Sequence, residues 1–134
     1  MKTYALRLNP GDNLKKELYR FTTENDIQAG VVLTCVGSLK EAQLRMANSA
    51  DVRGYGNQYN QYEIVSLVGT LSQDGVHLHV SISNKNGDVE GGHVKDGCII
   101  HTTAEVAIAD LEGIRFTREL DERTGYKELK ISKK

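Results

Sequence analysis

The sequence is short of several things, and each shortage closes off a class of function. Proline occurs once, at Pro10, tryptophan is absent and phenylalanine occurs only twice. That leaves no aromatic-rich surface on which nucleic-acid bases could stack. Neither sign of charge prevails: 17 Lys and Arg stand against 18 Asp and Glu, for a formal charge of −1. Nucleic-acid binding draws much of its affinity from neutralised phosphates and usually shows as a basic excess. Only Lys127, Lys130, Lys133 and Lys134 form a locally basic stretch, which a solvated tail accounts for. No apolar run approaches the ~20 residues that cross a bilayer, so no membrane partner is expected. The two cysteines, Cys35 and Cys98, each sit inside an apolar run and read as small buried side chains rather than a disulfide. The start, Met1-Lys2-Thr3-Tyr4, leads directly into a strand pattern with no signal-peptide stretch behind it, so the expected location is cytoplasmic.

What is present suits a single domain over residues 1–134, with a hydrophobic fraction of 39% that rules out a disordered chain. Residues 4–8 alternate as a short strand that Pro10-Gly11 closes. Asp12 or Asn13 then caps a helix running to about Asn25, with Leu14, Leu18 and Phe21 on its buried face and Lys15, Lys16, Arg20 and Glu24 mostly outside it. No other segment is strongly amphipathic at helical spacing. The β-branched run 31–36 reads as a strand stopped by Gly37-Ser38, with 39–46 as its partner. Residues 47–60, which include Gly54 and Gly56, read as a polar loop long enough to suggest function. Further strands are expected at 62–71, 76–83, 89–94 and 98–109, and a closing pair at 115–120 and 126–131. Many short strands with one main amphipathic helix near the N-terminus predict an α+β fold whose curved sheet is mainly antiparallel.

The segment from Val76 to Ser83 alternates without a fault. Val76, Leu78, Val80 and Ile82 share one face, while His77, His79, Ser81 and Ser83 share the other. The apolar face must meet the core, so both imidazoles point away from it, about 6.6 Å apart along the strand. Two rings at that separation can lean onto one ion with bonds of about 2.0–2.1 Å. A third ligand depends on the next turn. A two-residue Asn86-Gly87 loop sets His93 opposite Val80, on the core side, whereas a three-residue Lys85-Asn86-Gly87 loop with Gly87 left-handed sets it opposite His79. We favour the latter, noting that Gly91 and Gly92 either form a bulge or leave room for a ligand. The plain alternative is a set of solvated histidines, because His-X-His alone is a weak signal. Three neutral imidazoles suit zinc and also accept nickel, copper or iron(II), and they leave a fourth position for water or substrate.

Other polar residues are weaker candidates. Glu63, near the start of an apolar strand, and Glu105, sharing a face with His101 and Thr103, could each act as a general base or hold an imidazole from outside. A salt bridge or a backbone hydrogen bond would explain either carboxylate equally well. Arg45 and Arg53 either bind an anion or simply lie on the surface.

The order of these features resembles a known family. Tyr62-Glu63-Ile64-Val65-Ser66-Leu67-Val68-Gly69-Thr70-Leu71 is followed by His77-Leu78-His79, by Gly87 with Gly91-Gly92-His93, and by Thr103-Ala104-Glu105-Val106. With Leu6-Arg7-Leu8-Asn9-Pro10-Gly11-Asp12 and Val36-Gly37-Ser38 upstream, the block is similar to the PPC domain of plant AT-hook nuclear proteins and free-standing prokaryotic proteins. The resemblance covers nearly the whole chain. It implies an α+β fold with a curved antiparallel sheet, assembly as a homotrimer, and the DNA-binding label often given to prokaryotic members. The sequence holds no Arg-Gly-Arg-Pro-like AT-hook segment. The fold family is also similar to acetolactate decarboxylase, a zinc enzyme with three histidine ligands on its sheet, whose pattern His77, His79 and His93 match in type and approximate spacing. Three functions follow as expectations. The first is a zinc-binding oligomeric domain that could act as an enzyme on a small carbonyl or oxoacid, with Glu63 or Glu105 carrying protons. The second is a DNA-binding or regulatory domain without an AT-hook, and the third a bare assembly module.

Overall fold

In the computed structural model, which describes residues 1–134, the chain runs β1 (Lys2–Leu8), α1 (Leu14–Glu24), β2 (Gly30–Arg45), β3 (Val52–Tyr55) and β4 (Tyr62–Ser72). It continues through β5 (Gly75–Ser83), β6 (Val89–Val94), β7 (Ile99–Asp110), β8 (Ile114–Asp121) and β9 (Tyr126–Lys133). The Asn13 side chain caps the helix by accepting from the Lys16 amide at 3.2 Å. Leu14, Leu18 and Thr22 are its buried residues, and Phe21 stands at the margin, edge-on to Tyr4 with ring centroids 5.8 Å apart. Burying Thr22 is tolerated because its hydroxyl donates to the Leu18 carbonyl at 2.7 Å.

Every strand pairing is antiparallel, and the main sheet has the order β1-β7-β2-β4-β5-β6. Its last strand returns to its third. Leu44 and Arg45, at the end of β2, pair with Val94 and His93 of β6, so β2, β4, β5 and β6 form a closed circuit. One strand can serve both ends of that circuit only by bending. Breaks in the β2–β7 register at Val32/Thr34, Gly37/Leu39 and Leu39/Glu41 supply the bends. The core lies inside the curve, under α1, and includes Leu14, Leu18, Ile27, Leu39, Leu78, Ile82, Ile100 and Ile108. No helix is long and apolar enough to cross a membrane.

Three local expectations change. First, Gly37-Ser38 does not end a strand, because β2 is continuous over 16 residues. A Cβ at Gly37 would collide with the Thr103 carbonyl and lie 2.6 Å from Ala104 Cα, so the glycine permits the close passage of β7 rather than a turn. Second, segment 47–60 is not all loop: β3 lies within it and pairs with β2 from Ala42↔Tyr55 to Arg45↔Val52. A four-residue, largely exposed strand containing Gly54 has too little apolar alternation to announce itself. Third, the closing hairpin β8–β9 forms as a separate two-stranded sheet. It docks on the body through buried Phe116, whose amide donates to the Gln28 carbonyl at 2.9 Å, and through the Arg118 amide, which donates to Asp74 Oδ2 at 2.9 Å.

Candidate metal centre

The alternation of β5 places Leu78, Val80 and Ile82 in the core and leaves His77 half-buried and His79 exposed on the other side. The β5–β6 connection then decides the position of His93. Gly87 has φ +84° and donates to the Asn84 carbonyl at 3.0 Å, and Asn84 donates to the Asp88 carbonyl at 3.0 Å. The loop between that pair is Lys85-Asn86-Gly87, and the register runs unbroken from Ser83↔Val89 to His79↔His93. His93 therefore projects on the same side as His79. Gly91 and Gly92 make no bulge, and the space beside them belongs to the protein itself. A Cβ at Gly91 would stand 2.6 Å from the Val80 carbonyl oxygen, and one at Gly92 would stand 2.9 Å from that of Arg45.

The three imidazoles converge. Ring centroids are 5.0 Å apart for His77 and His79, 4.9 Å for His77 and His93, and 5.6 Å for His79 and His93. One ring nitrogen from each lies within 4.8 Å of the other two. Tetrahedral zinc with bonds of about 2.0–2.1 Å needs its nitrogens about 3.3 Å apart, a difference that side-chain rotation can close. Protonation also favours a cation here. Burial above all, then the nearby Arg118 and His79, holds His77 below its ordinary value. His93 is lowered to about 4, again chiefly by burial, with His77 and Arg45 adding to it. Both rings are neutral at pH 7 and offer a lone pair, as metal ligation requires.

A cleft of about 980 Å³ opens beside His77 and His93 and is also lined by Arg45, Arg118, Tyr126 and Glu128. Glu63 and Glu105 do not reach it. Exposed Glu63 pairs with Ser83, four residues along β5 from His79, or about 13 Å. Exposed Glu105 lies on β7 between Arg7 and Val36, three strands from β5 and about 14 Å away across the sheet. Residue type alone suggests both, and the strand order places them away from the centre. The carboxylates that do line the cleft are Asp74 and Glu128. Of the other sequence candidates, Arg45 lines the cleft, whereas Arg53 is exposed on β3 and His101 is exposed on β7. Arg118 and Glu128 escaped the sequence reading, since no periodicity connects the closing hairpin to β5.

A curved antiparallel sheet carrying one helix and an outward histidine trio defines the class, and comparison with known proteins assigns it. The chain belongs to the Plants and Prokaryotes Conserved (PCC) domain family, whose model matches residues 1–112. It is 45% identical over 133 residues to the bifunctional protein GlmU of Synechococcus sp. (strain JA-3-3Ab), covering 99% of this chain and 21% of that protein. The chain thus spans about a fifth of the length of the curated relatives it matches. Among solved structures, a hypothetical protein from Salmonella cholerae-suis superposes with a TM-score of 0.93 at 36% identity, over 98% of this chain and 94% of that one. The metal-containing protein from Archaeoglobus fulgidus has a TM-score of 0.79 at 27% identity, over 96% and 92% of the two chains. A protein from Bacteroides thetaiotaomicron that carries a provisional DNA-binding name has a TM-score of 0.84 at 24% identity, over 96% and 91%, and shares the fold.

Proposed function

We propose that this domain binds a divalent transition ion, zinc by the nature of its donors, through His77, His79 and His93, and acts on a small carbonyl compound as a homotrimer. The observation that carries the reading is the convergence of three ring nitrogens to within 4.8 Å outside the core. The metal-containing relative from Archaeoglobus fulgidus supports it. Three protein ligands leave one position open, and a bound ion there supplies a Lewis acid for a carbonyl oxygen or for water. The residues of the chain do the rest. The cleft admits a small molecule to the open side, and Glu128, whose Oε1 accepts from Thr124 Oγ1 at 3.1 Å, holds or accepts a proton there. It takes the part that residue type had suggested for Glu63 or Glu105.

Self-association is supported by an apolar strip on the outside of the sheet, formed by exposed Leu33 and Val36 of β2 with Val65 and Val68 of β4. Val68 pairs directly with His79, so a second subunit seated on the strip would cover the open side of that ring. Two free, buried cysteines suit a reducing, cytoplasmic setting. The second reading, a DNA-binding or regulatory domain, draws on the name of the Bacteroides protein and has the chain's near-neutral charge against it.

Metal analysis of protein purified without an affinity tag is the direct test. About one ion per chain is expected in the wild type and much less in His79→Ala; no metal in either, even after incubation with zinc, ends this reading. DNA binding must weaken steeply with salt if it is specific to phosphates, and its absence at low salt removes the second reading.

A further inference from the structure

We propose that the cleft beside His77 and His93 is an anion site, in which Arg45 and Arg118 grip a carboxylate or phosphate group of the small molecule presented to the histidine centre. The inference deepens the metal reading, and rests on it only for the role of the neighbouring histidines.

Two pairings bring the guanidinium groups there. Arg45 stands directly opposite His93 on β2 and β6, so the two side chains leave the sheet on the same side. Arg118 comes from the docked hairpin, and its Nη2 donates to Thr70 Oγ1 at 2.8 Å. Thr70 in turn stands directly opposite His77. One arginine therefore flanks each of the two half-buried histidines.

Neither guanidinium has a carboxylate partner. Arg20 pairs with Glu17 and Glu24, and Arg123 with Asp121, but those arginines lie elsewhere. Beyond its tether to Thr70, Arg118 forms no ion pair. Arg45 has only a 3.4 Å bond from Nη1 to the Ser49 carbonyl and the ring of Tyr126 at 5.9 Å. A partly buried cation without a counter-charge is costly, and a planar fork of donors matches a carboxylate or phosphate two bonds at a time.

The rest of the lining leans the same way. Arg45, Lys95, Arg118 and Lys127 face only Asp74 and Glu128, an excess of two positive charges in a chain whose formal charge is −1. Asp74 is already engaged by the Arg118 amide. A cleft of about 980 Å³ accepts a small molecule rather than a polymer. Arg118, Tyr126, Lys127 and Glu128 belong to β8–β9, beyond the residues 1–112 that the family model matches. The closing hairpin thus supplies one of the two arginines, while Arg45 and the histidines stand on the main sheet.

Titration calorimetry on metal-stripped and zinc-loaded full-length protein tests this, with pyruvate, inorganic phosphate and neutral acetone as probes. At least one of the two anions should bind the metal-stripped wild type, and acetone should not. Affinity should fall at least tenfold in Arg45→Gln and in Arg118→Gln, with Arg118→Lys in between, and should weaken with added chloride. The stronger of the two anions identifies the group recognised. Anion binding that is unchanged in folded Gln variants, or absent from the wild type in both forms, overturns the proposal. If a Gln variant fails to fold, the Lys variant and the chloride dependence of the wild type decide. Metal content measured on the same samples separates the two readings. Metal without anion binding sinks this site and spares the histidine centre, and arginine-dependent anion binding without metal does the reverse.

Discussion

His79 and His93 face each other across β5 and β6, and Gly87, at the far end of the hairpin, sets that pairing. Its φ is +84° with open space around the position a Cβ would take. Gly87→Ala therefore carries only the cost of left-handed backbone, about 1–2 kcal/mol. Gly87→Asn should cost less, because Asn tolerates that region. Urea unfolding should rank wild type above Asn and Asn above Ala. Zinc affinity should follow the same order, since strain in the loop acts on the register that aligns the rings; Ala matching wild type in both would separate the loop from the centre.

The titration of His93 gives stability a direction with pH. Its folded value is about 4, against about 6.5 in an unfolded chain. Between those values the unfolded chain binds a proton that the folded one refuses. Stability from this group is complete above about pH 6.5 and drains away as pH falls toward 4. The melting temperature of the metal-free protein should drop over that window, and His93→Gln should flatten the drop. Zinc should raise the melting temperature at pH 7 and lose its effect on acidification, as protons compete for the same lone pairs. A steeper acid loss in His93→Gln would contradict the assignment.

The parts of this molecule that were legible in sequence are those written in local periodicity and turn chemistry. The alternation of Val76 to Ser83 and the left-handed Gly87 suffice to bring three histidines to one face. Gly37 shows the limit: a glycine marks a turn and a close strand crossing with the same letter, and only β7 lying against it distinguishes them. Glu63 and Glu105 show another, since residue type suggests a role but strand order decides the distance. Arg118 and Glu128 reach the cleft because Phe116 anchors a hairpin far downstream of His77 onto the body, a long-range packing event with no local signature.

The thiols should be silent in the folded protein. Burial pushes Cys35 up to about 11, and Cys98 is raised as well, chiefly by burial. Thiolate is the reactive form. At pH 8 a disulfide reagent should modify neither cysteine in native protein while both react promptly in urea. Fast reaction of either under native conditions would mean that the sheet opens around it.

Gly37→Ala tests the reading of β2 as one bent strand. A methyl there would press on the Thr103 carbonyl and the Ala104 backbone, atoms that cannot rotate aside as a side-chain end can. Crowding of this kind costs on the order of 3 kcal/mol. Gly125→Ala, in the β8–β9 turn with φ +79° and nothing near its Cβ position, serves as the comparison: it strains the backbone without crowding a neighbour. Urea midpoints should show Gly37→Ala as the more damaging change, with the histidine centre weakened because β2 also carries Arg45 to its place opposite His93. Equal stability of the two variants would mean that β7 does not pass as close to β2 as the structure places it.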